Sequence, residues 1–212
     1  MPPGAAAHLA GMNYPNRFAR YLFTGMEDVL GRNGLTLLLN AAGTSRYLNQ
    51  PPPDDLERRF SFNELAALNR ALEQLYGVPG AASIAHRIGR ATFAQGMIAF
   101  GAFAGMADPS FRTLPLRKCV HSGLNTLAET FTHFSDQETI FEPGAEQHRL
   151  IINPSPFAWK LRSGRPICRI LVGLTDECLR WSTDGYSFHV HEIACQATGN
   201  PACILAINPR PD

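Results

Sequence analysis

The feature that most constrains this chain lies near its end: Glu192-Ile193-Ala194-Cys195-Gln196-Ala197-Thr198-Gly199-Asn200-Pro201-Ala202-Cys203. The pattern is E-x-x-C-x-x-x-G-N-P-x-C. A carboxylate and a thiol close one run, a tight Gly-Asn-Pro turn follows, and a second thiol opens the next run. Two antiparallel strands joined this way offer one ion both soft and hard ligands. Cys168, 24 residues before Glu192, completes a set of four. In a strand, Glu192 and Cys195 point to opposite faces, so the strand has to bulge or end between them for both to reach one ion.

Thiolates with a carboxylate suit zinc, which takes four ligands in a tetrahedron. Cys168, Glu192, Cys195 and Cys203 are the candidate ligands of a Zn2+ ion. Four protein ligands close the site, so the metal is expected to be structural rather than catalytic. The ligands' formal charge calls for nearby donors, and Arg165, Arg169, His189 and His191 are candidates. The spacing is not the common C-x-x-C pair, and the same cysteines can equally be small buried hydrophobic residues. His191-Glu192-Ile193-Ala194-Cys195 resembles a broken H-E-x-x-H, but the segment is strand-like and lacks the second histidine. A metalloprotease is therefore excluded. Cys119 and Cys178 fall within expected helices and read as core.

The 212 residues fit one domain with a full core, 45% of them hydrophobic and 17% charged. A net charge of +1 gives no basic excess for holding phosphates, so no direct nucleic-acid partner is expected. No apolar run reaches the roughly 18 residues of a membrane span. The N-terminus lacks the pattern of a signal peptide, so the expected compartment is the cytoplasm. There the five cysteines are free thiols or metal ligands rather than disulfides.

Residues 1–13 are Ala/Gly/Pro-rich and expected to be disordered, with a single domain over 14–212. Apolar spacing predicts a helix from Asn16 to Leu30, ended by Gly31 and Gly34, and a short helix over Leu35 to Ala42. Ser61-Phe62-Asn63-Glu64 is a capping-box signature opening a helix to about Tyr76. A turn at Gly77-Val78-Pro79-Gly80 separates it from a long helix over Ala81 to Ala104. Gly89, Gly96, Gly101 and Gly105 are costly in a helix and suggest close approach to another helix or to a ligand. Pro115 to Phe134 is the next helix.

Thr139–Glu142 and Gln147–Asn153 form an expected hairpin around Pro143-Gly144. Pro166 to Trp181 reads as a helix, Tyr186 to Cys195 and Ala202 to Ile207 as strands. Helices come first, then antiparallel strands with one inserted helix, which is an α+β arrangement. No G-x-G-x-x-G, phosphate-loop or nucleophile-elbow motif is present.

The ending E-x-x-C-x-x-x-G-N-P-x-C-x-x-x-I, with Pro166, Cys168 and Gly173 ahead of it, resembles the 4-vinyl reductase (4VR) domain family. Arg87-Ile88-Gly89-Arg90, with Gly96 beyond, is similar to that family's central helix. The similarity spans roughly Asn16 to Ile207. It implies a domain related to the sensor domain of phenol-responsive activators and to TRAPP-type trafficking subunits, with a tendency to pair through its helices. It also implies zinc on Cys168, Glu192, Cys195 and Cys203, and a link to (bacterio)chlorophyll biosynthesis.

Family members that bind ligands use an apolar pocket between helices and sheet. In this chain Phe93, Phe100, Phe103, His121 and Trp159 are the candidates for a hydrophobic, aromatic or tetrapyrrole ligand. The bland alternative is that they fill a solid core. Three functions follow: a zinc-containing non-catalytic binding domain, a 4-vinyl reductase or its accessory subunit, and a dimeric scaffold. Only the family name supports the enzyme, and no nicotinamide or flavin site is recognisable.

Overall fold

A computed structural model describes residues 11–212. The expected N-terminal disorder falls largely on residues outside that range. Asn13 is already ordered: β1 (Asn13–Pro15) pairs antiparallel with β2 (Arg58–Ser61). Sequence patterning gave no sign of this two-stranded ribbon, because three residues are too few to show an alternation.

Two long bent helices dominate. Helix α1 (Asn16–Ala41) breaks at Gly31, whose φ of 69° and ψ of 169° lie outside the helical region. Helix α2 (Phe62–Gln95) breaks likewise at Gly77, φ 65° and ψ 170°, two residues before Pro79. Glycine takes such positive φ without a steric penalty. The expected boundaries at Gly31 and Gly77 are thus bends between successive half-helices, while Gly34 lies within the second half of α1. The capping box is formed: Glu64 N–H donates to Ser61 Oγ at 3.3 Å, and Ser61 N–H donates back to Glu64 Oε2 at 3.1 Å.

Helix α2 stops at Gln95, not at Ala104 as expected. Residues 97–113 run as three 3-10 segments instead. Gly96, at φ −143° and ψ −65°, leaves the helical region, and Gly101 and Gly105 beyond it are costly in an α-helix. Helix α3 (Leu116–Phe134) follows as expected.

The C-terminal half is an antiparallel sheet in the order β3-β4-β6-β5, formed by β3 (Glu138–Glu142), β4 (His148–Asn153), β5 (Val190–Ala194) and β6 (Cys203–Ile207). Helix α4 (Arg169–Ser182) is inserted between β4 and β5. It starts three residues after Pro166, which lies ahead of the helix and not in its first turn. Helix α3 packs on β3 and α4 on β5, so the sheet is backed by helices and the fold is α+β.

Helices α2 and α4 meet at backbone distance. A Cβ built on Gly89 would lie 2.0 Å from Ile170 O, and one on Gly173 would lie 1.9 Å from His86 O. Gly96 likewise faces the Tyr21 ring, with 2.3 Å left for a Cβ. Close approach was the expectation for Gly89, Gly96, Gly101 and Gly105, and the first two meet it. Gly101 and Gly105, by contrast, face open space.

Candidate metal centre

The chain brings Cys168, Glu192, Cys195 and Cys203 together, with one ligand atom from each lying within 4.8 Å of the others. Their sequence positions span the start of α4 and the ends of two strands. Cys168 is the residue before the first turn of α4. Glu192 lies in β5, whose register slips between Glu192 and Ala194, and Cys195 follows the strand's last residue. Bulge and strand end together turn the carboxylate and the thiol to one side. Gly199, φ 92°, reverses the chain after a 3-10 turn, and Cys203 opens β6.

The spacing suits zinc. Cys168 and Cys203 sulfurs are 3.4 Å apart, and Cys203 and Cys195 sulfurs 3.8 Å. Four ligands on a tetrahedron at zinc–sulfur length would place sulfurs roughly 3.8 Å from each other. The three thiols are fully buried and Glu192 is 9% exposed. Glu192 Oε2 accepts from Cys168 N–H at 2.8 Å, while Oε1 is buried with no hydrogen-bond partner. An orphaned carboxylate oxygen beside three sulfurs is a cation-binding arrangement.

Electrostatics agree with crowded acceptors. Hydrogen bonds from the Cys168 and Cys203 thiols hold Cys195 far below the usual thiol range. Its bonds to Cys195 and Cys203, with burial, push Cys168 well above it. Burial and the neighbouring Cys195 raise Glu192 to about 8. A divalent ion has to displace these protons to bind. Zinc affinity is therefore expected to weaken steadily as pH falls from 8 to 6, which competition with a chromogenic chelator measures.

The compensating donors differ from those expected. Arg165 is paired with Glu73 at 2.7 Å. Arg169 Nε and His191 Nδ1 are buried without a partner. The cluster is served instead by Gln196 N–H, 3.3 Å from Cys203 Sγ, by Cys168 N–H, and by Ser155 Oγ, 3.2 Å from Cys168 Sγ. Sequence reasoning missed Ser155. Its only signal was its place in Asn153-Pro154-Ser155-Pro156, a loop whose path past Cys168 no local pattern reveals.

The segment entering the site is pinned from α2. Asn69 is buried, and its Nδ2 donates to Phe157 O at 3.0 Å and Ile167 O at 3.1 Å. Replacing Asn69 by leucine strands both carbonyls. The expected cost is about 2–3 kcal/mol, with faster amide exchange across residues 157–168.

The five pocket candidates fall in three aromatic clusters. Phe100 packs on Phe18 and Phe134, and Phe103 on Phe93 and Trp181. Trp159 meets Phe62 edge-on. His121 faces Phe141 and His148 between α3 and the sheet, its Nε2 buried and unpaired. Because α2 ends early, the 3-10 segments fold Phe100 and Phe103 back into the core. The interior void is lined by Tyr14, Phe18, Phe131, Phe157, Leu171 and others and holds about 20 Å³, roughly one water.

His148 offers a pH-dependent readout of this packing. It is buried, and Gly144 N–H donates to its Nδ1 at 3.2 Å. Burial first, then His121 and Arg117, hold it below the ordinary imidazole range. The unfolded chain therefore takes up the proton first. Stability is full above the unfolded value of about 6.5 and declines as pH drops below it. His148→Asn, which keeps an acceptor near Nδ1, is expected to flatten the fall in melting temperature between pH 6.5 and 5.

No family model and no curated protein matches the chain. Solved structures do match in fold. An unliganded Fe(II) H-NOX protein from K. algicida aligns over 93% of this chain and 96% of its own, with 13% identity and a TM-score of 0.56. A structure from a study of heme distortion in the H-NOX family aligns over 94% and 96%, at 13% identity and TM-score 0.56. The phenol-responsive sensory domain of the transcription activator PoxR, solved with phenol, aligns over 72% and 77%, at 16% identity and TM-score 0.50. The chain therefore has the fold shared by H-NOX proteins and the PoxR sensory domain.

A heme does not fit the interior void that Tyr14, Phe18 and Phe131 line among the described residues. The void is water-sized, and none of its lining residues is a histidine or cysteine. Among the described residues His86 pairs with Asp176, and His189 and His191 lie together along the path of β5. The four-residue cluster is made of donors suited to a bare ion.

Proposed function

We propose that the chain is a zinc-containing, non-catalytic small-molecule-binding domain of the 4-vinyl reductase type. Its ligand is hydrophobic or aromatic, or a tetrapyrrole of (bacterio)chlorophyll biosynthesis held outside the water-sized interior void, and the protein works in the cytoplasm as a homodimer. The observation that carries the reading is the buried convergence of Cys168, Glu192, Cys195 and Cys203. Those residues form the motif on which the family resemblance rests. The fold shared with a phenol-bound sensory domain supports the ligand-binding part.

In this reading the metal supplies no chemistry to a substrate. Four protein ligands leave no open position, so zinc staples β5, β6 and the start of α4 together. The helical layer then rests on a fixed edge, and α4 is held against α2 at the Gly89–Gly173 crossing.

Titration of the purified protein with protoporphyrin IX, followed by the pigment's absorbance and by tryptophan quenching, tests the ligand class. Saturable binding at about one pigment per chain with a micromolar Kd is expected. A linear, non-saturating response would remove the tetrapyrrole. A spectral change on adding NADPH to a divinyl pigment would overturn the non-catalytic reading.

A further inference from the structure

The bend at Gly31 creates a groove. Arg20, Phe23, Thr24 and Glu27 recur at the spacing of one helix face before the bend. Arg32, Leu35, Thr36 and Leu39 repeat that spacing after it. The non-helical backbone at Gly31 turns the chain so that both stripes line one groove, and Tyr47, Leu48, Pro51 and Pro52 close its third side. The groove encloses about 470 Å³. Small-molecule sites run from roughly 300 to 1,000 Å³, whereas the interior void holds only about 20 Å³.

Its walls differ in chemistry. Phe23 and Leu39 form a buried floor, and Tyr47 meets Phe23 edge-on at 5.4 Å between ring centres. Arg20 Nη1 donates to Pro52 O at 3.2 Å, which fixes that guanidinium at the margin. Arg32 is exposed and makes no ion pair among the described residues, and neither does Glu27. Two guanidinium groups against one carboxylate leave the groove with an excess of one positive charge.

We propose that this groove binds an elongated or flat apolar molecule carrying one carboxylate. The apolar body lies on Phe23, Leu39 and Tyr47, and the carboxylate is held by the marginal guanidinium groups of Arg20 and Arg32. The proposal rests on the reading of the domain as a small-molecule binder and adds the place and the charge of the ligand. Glu27 sets the limit: a polyanion gains less here than a monoanion.

The test is calorimetric titration of the zinc-loaded full chain with 2-naphthoate and with its uncharged analogue 2-naphthalenemethanol. The expected result is saturable naphthoate binding at least ~10-fold tighter than the alcohol. The double variant R20Q/R32Q is expected to remove that advantage while leaving the alcohol's affinity in place. Thr36→Trp, which fills the groove, is expected to abolish both. Circular dichroism and zinc content confirm that each variant is folded. Naphthoate binding that survives both variants would overturn the groove assignment and leave the small-molecule reading standing. Absence of saturable binding in the wild type at millimolar probe would also overturn the groove. The protoporphyrin titration judges the broader reading separately.

Discussion

Cys203→Ser is expected to release the metal and to remove most of the domain's stability. Cys203 contacts both other thiols of the cluster, at 3.4 and 3.8 Å, and is fully buried. A serine hydroxyl is a poor zinc ligand and would leave the Cys168 and Cys195 sulfurs and the orphaned Glu192 oxygen crowded without a cation. Structural zinc supplies on the order of 10 kcal/mol of apparent binding free energy, while whole domains are stable by about 5–15 kcal/mol. Zinc content should fall to near zero, and the melting temperature by well over ~10 °C. Cys178→Ser is the comparison. That thiol is buried but bonds only to Gly123 O, so the variant should keep its zinc.

The second large effect is expected at the α2–α4 crossing. Gly173→Ala puts a methyl group 1.9 Å from His86 O, and Gly89→Ala puts one 2.0 Å from Ile170 O. Both obstacles are backbone atoms in helices held by many other contacts, so neither can yield by a rotamer change. The helices have to separate, which opens the core around Ile88, Leu171 and Leu174. Overpacking of this kind costs about 3 kcal/mol or more. For a chain of this size that is a melting-temperature loss of about 10 °C. Gly101→Ala, where nothing lies within 4 Å, should change the melting temperature by less than ~2 °C. Thermal melts of the three variants separate a packing effect from a general intolerance of alanine.

The candidate metal cluster was more legible in the sequence than the proposed ligand site, and the reason is geometric. Glu192, Cys195 and Cys203 fall within a dozen residues, so one turn and one bulge suffice to bring them together. The requirement that the strand bulge or end between Glu192 and Cys195 followed from the two-residue period alone, and the structure has both features. Cys168 lies farther away; it entered the set as a third thiol, and the family motif gave it the same place. Of the candidates Phe93, Phe100, Phe103, His121 and Trp159, the first three were placed on a helix expected to run to Ala104. That helix ends at Gln95, and a helix end inside a Gly/Ala-rich stretch leaves little periodic signal. The groove at Gly31 was half visible. The residues at 20, 23, 24 and 27 and at 32, 35, 36 and 39 keep helical spacing, but whether the two stripes face each other depends on one pair of backbone angles. The charge donors at the cluster were also misassigned, since backbone amides carry no sequence signature and arginines do.

Elemental mass spectrometry on the purified, tag-free protein tests the zinc assignment directly. About one zinc per chain is expected, with Cys168, Cys195 and Cys203 protected from thiol reagents until a chelator is added. A metal-free protein with all three thiols freely titratable on unfolding, or one carrying iron in a heme, would contradict it.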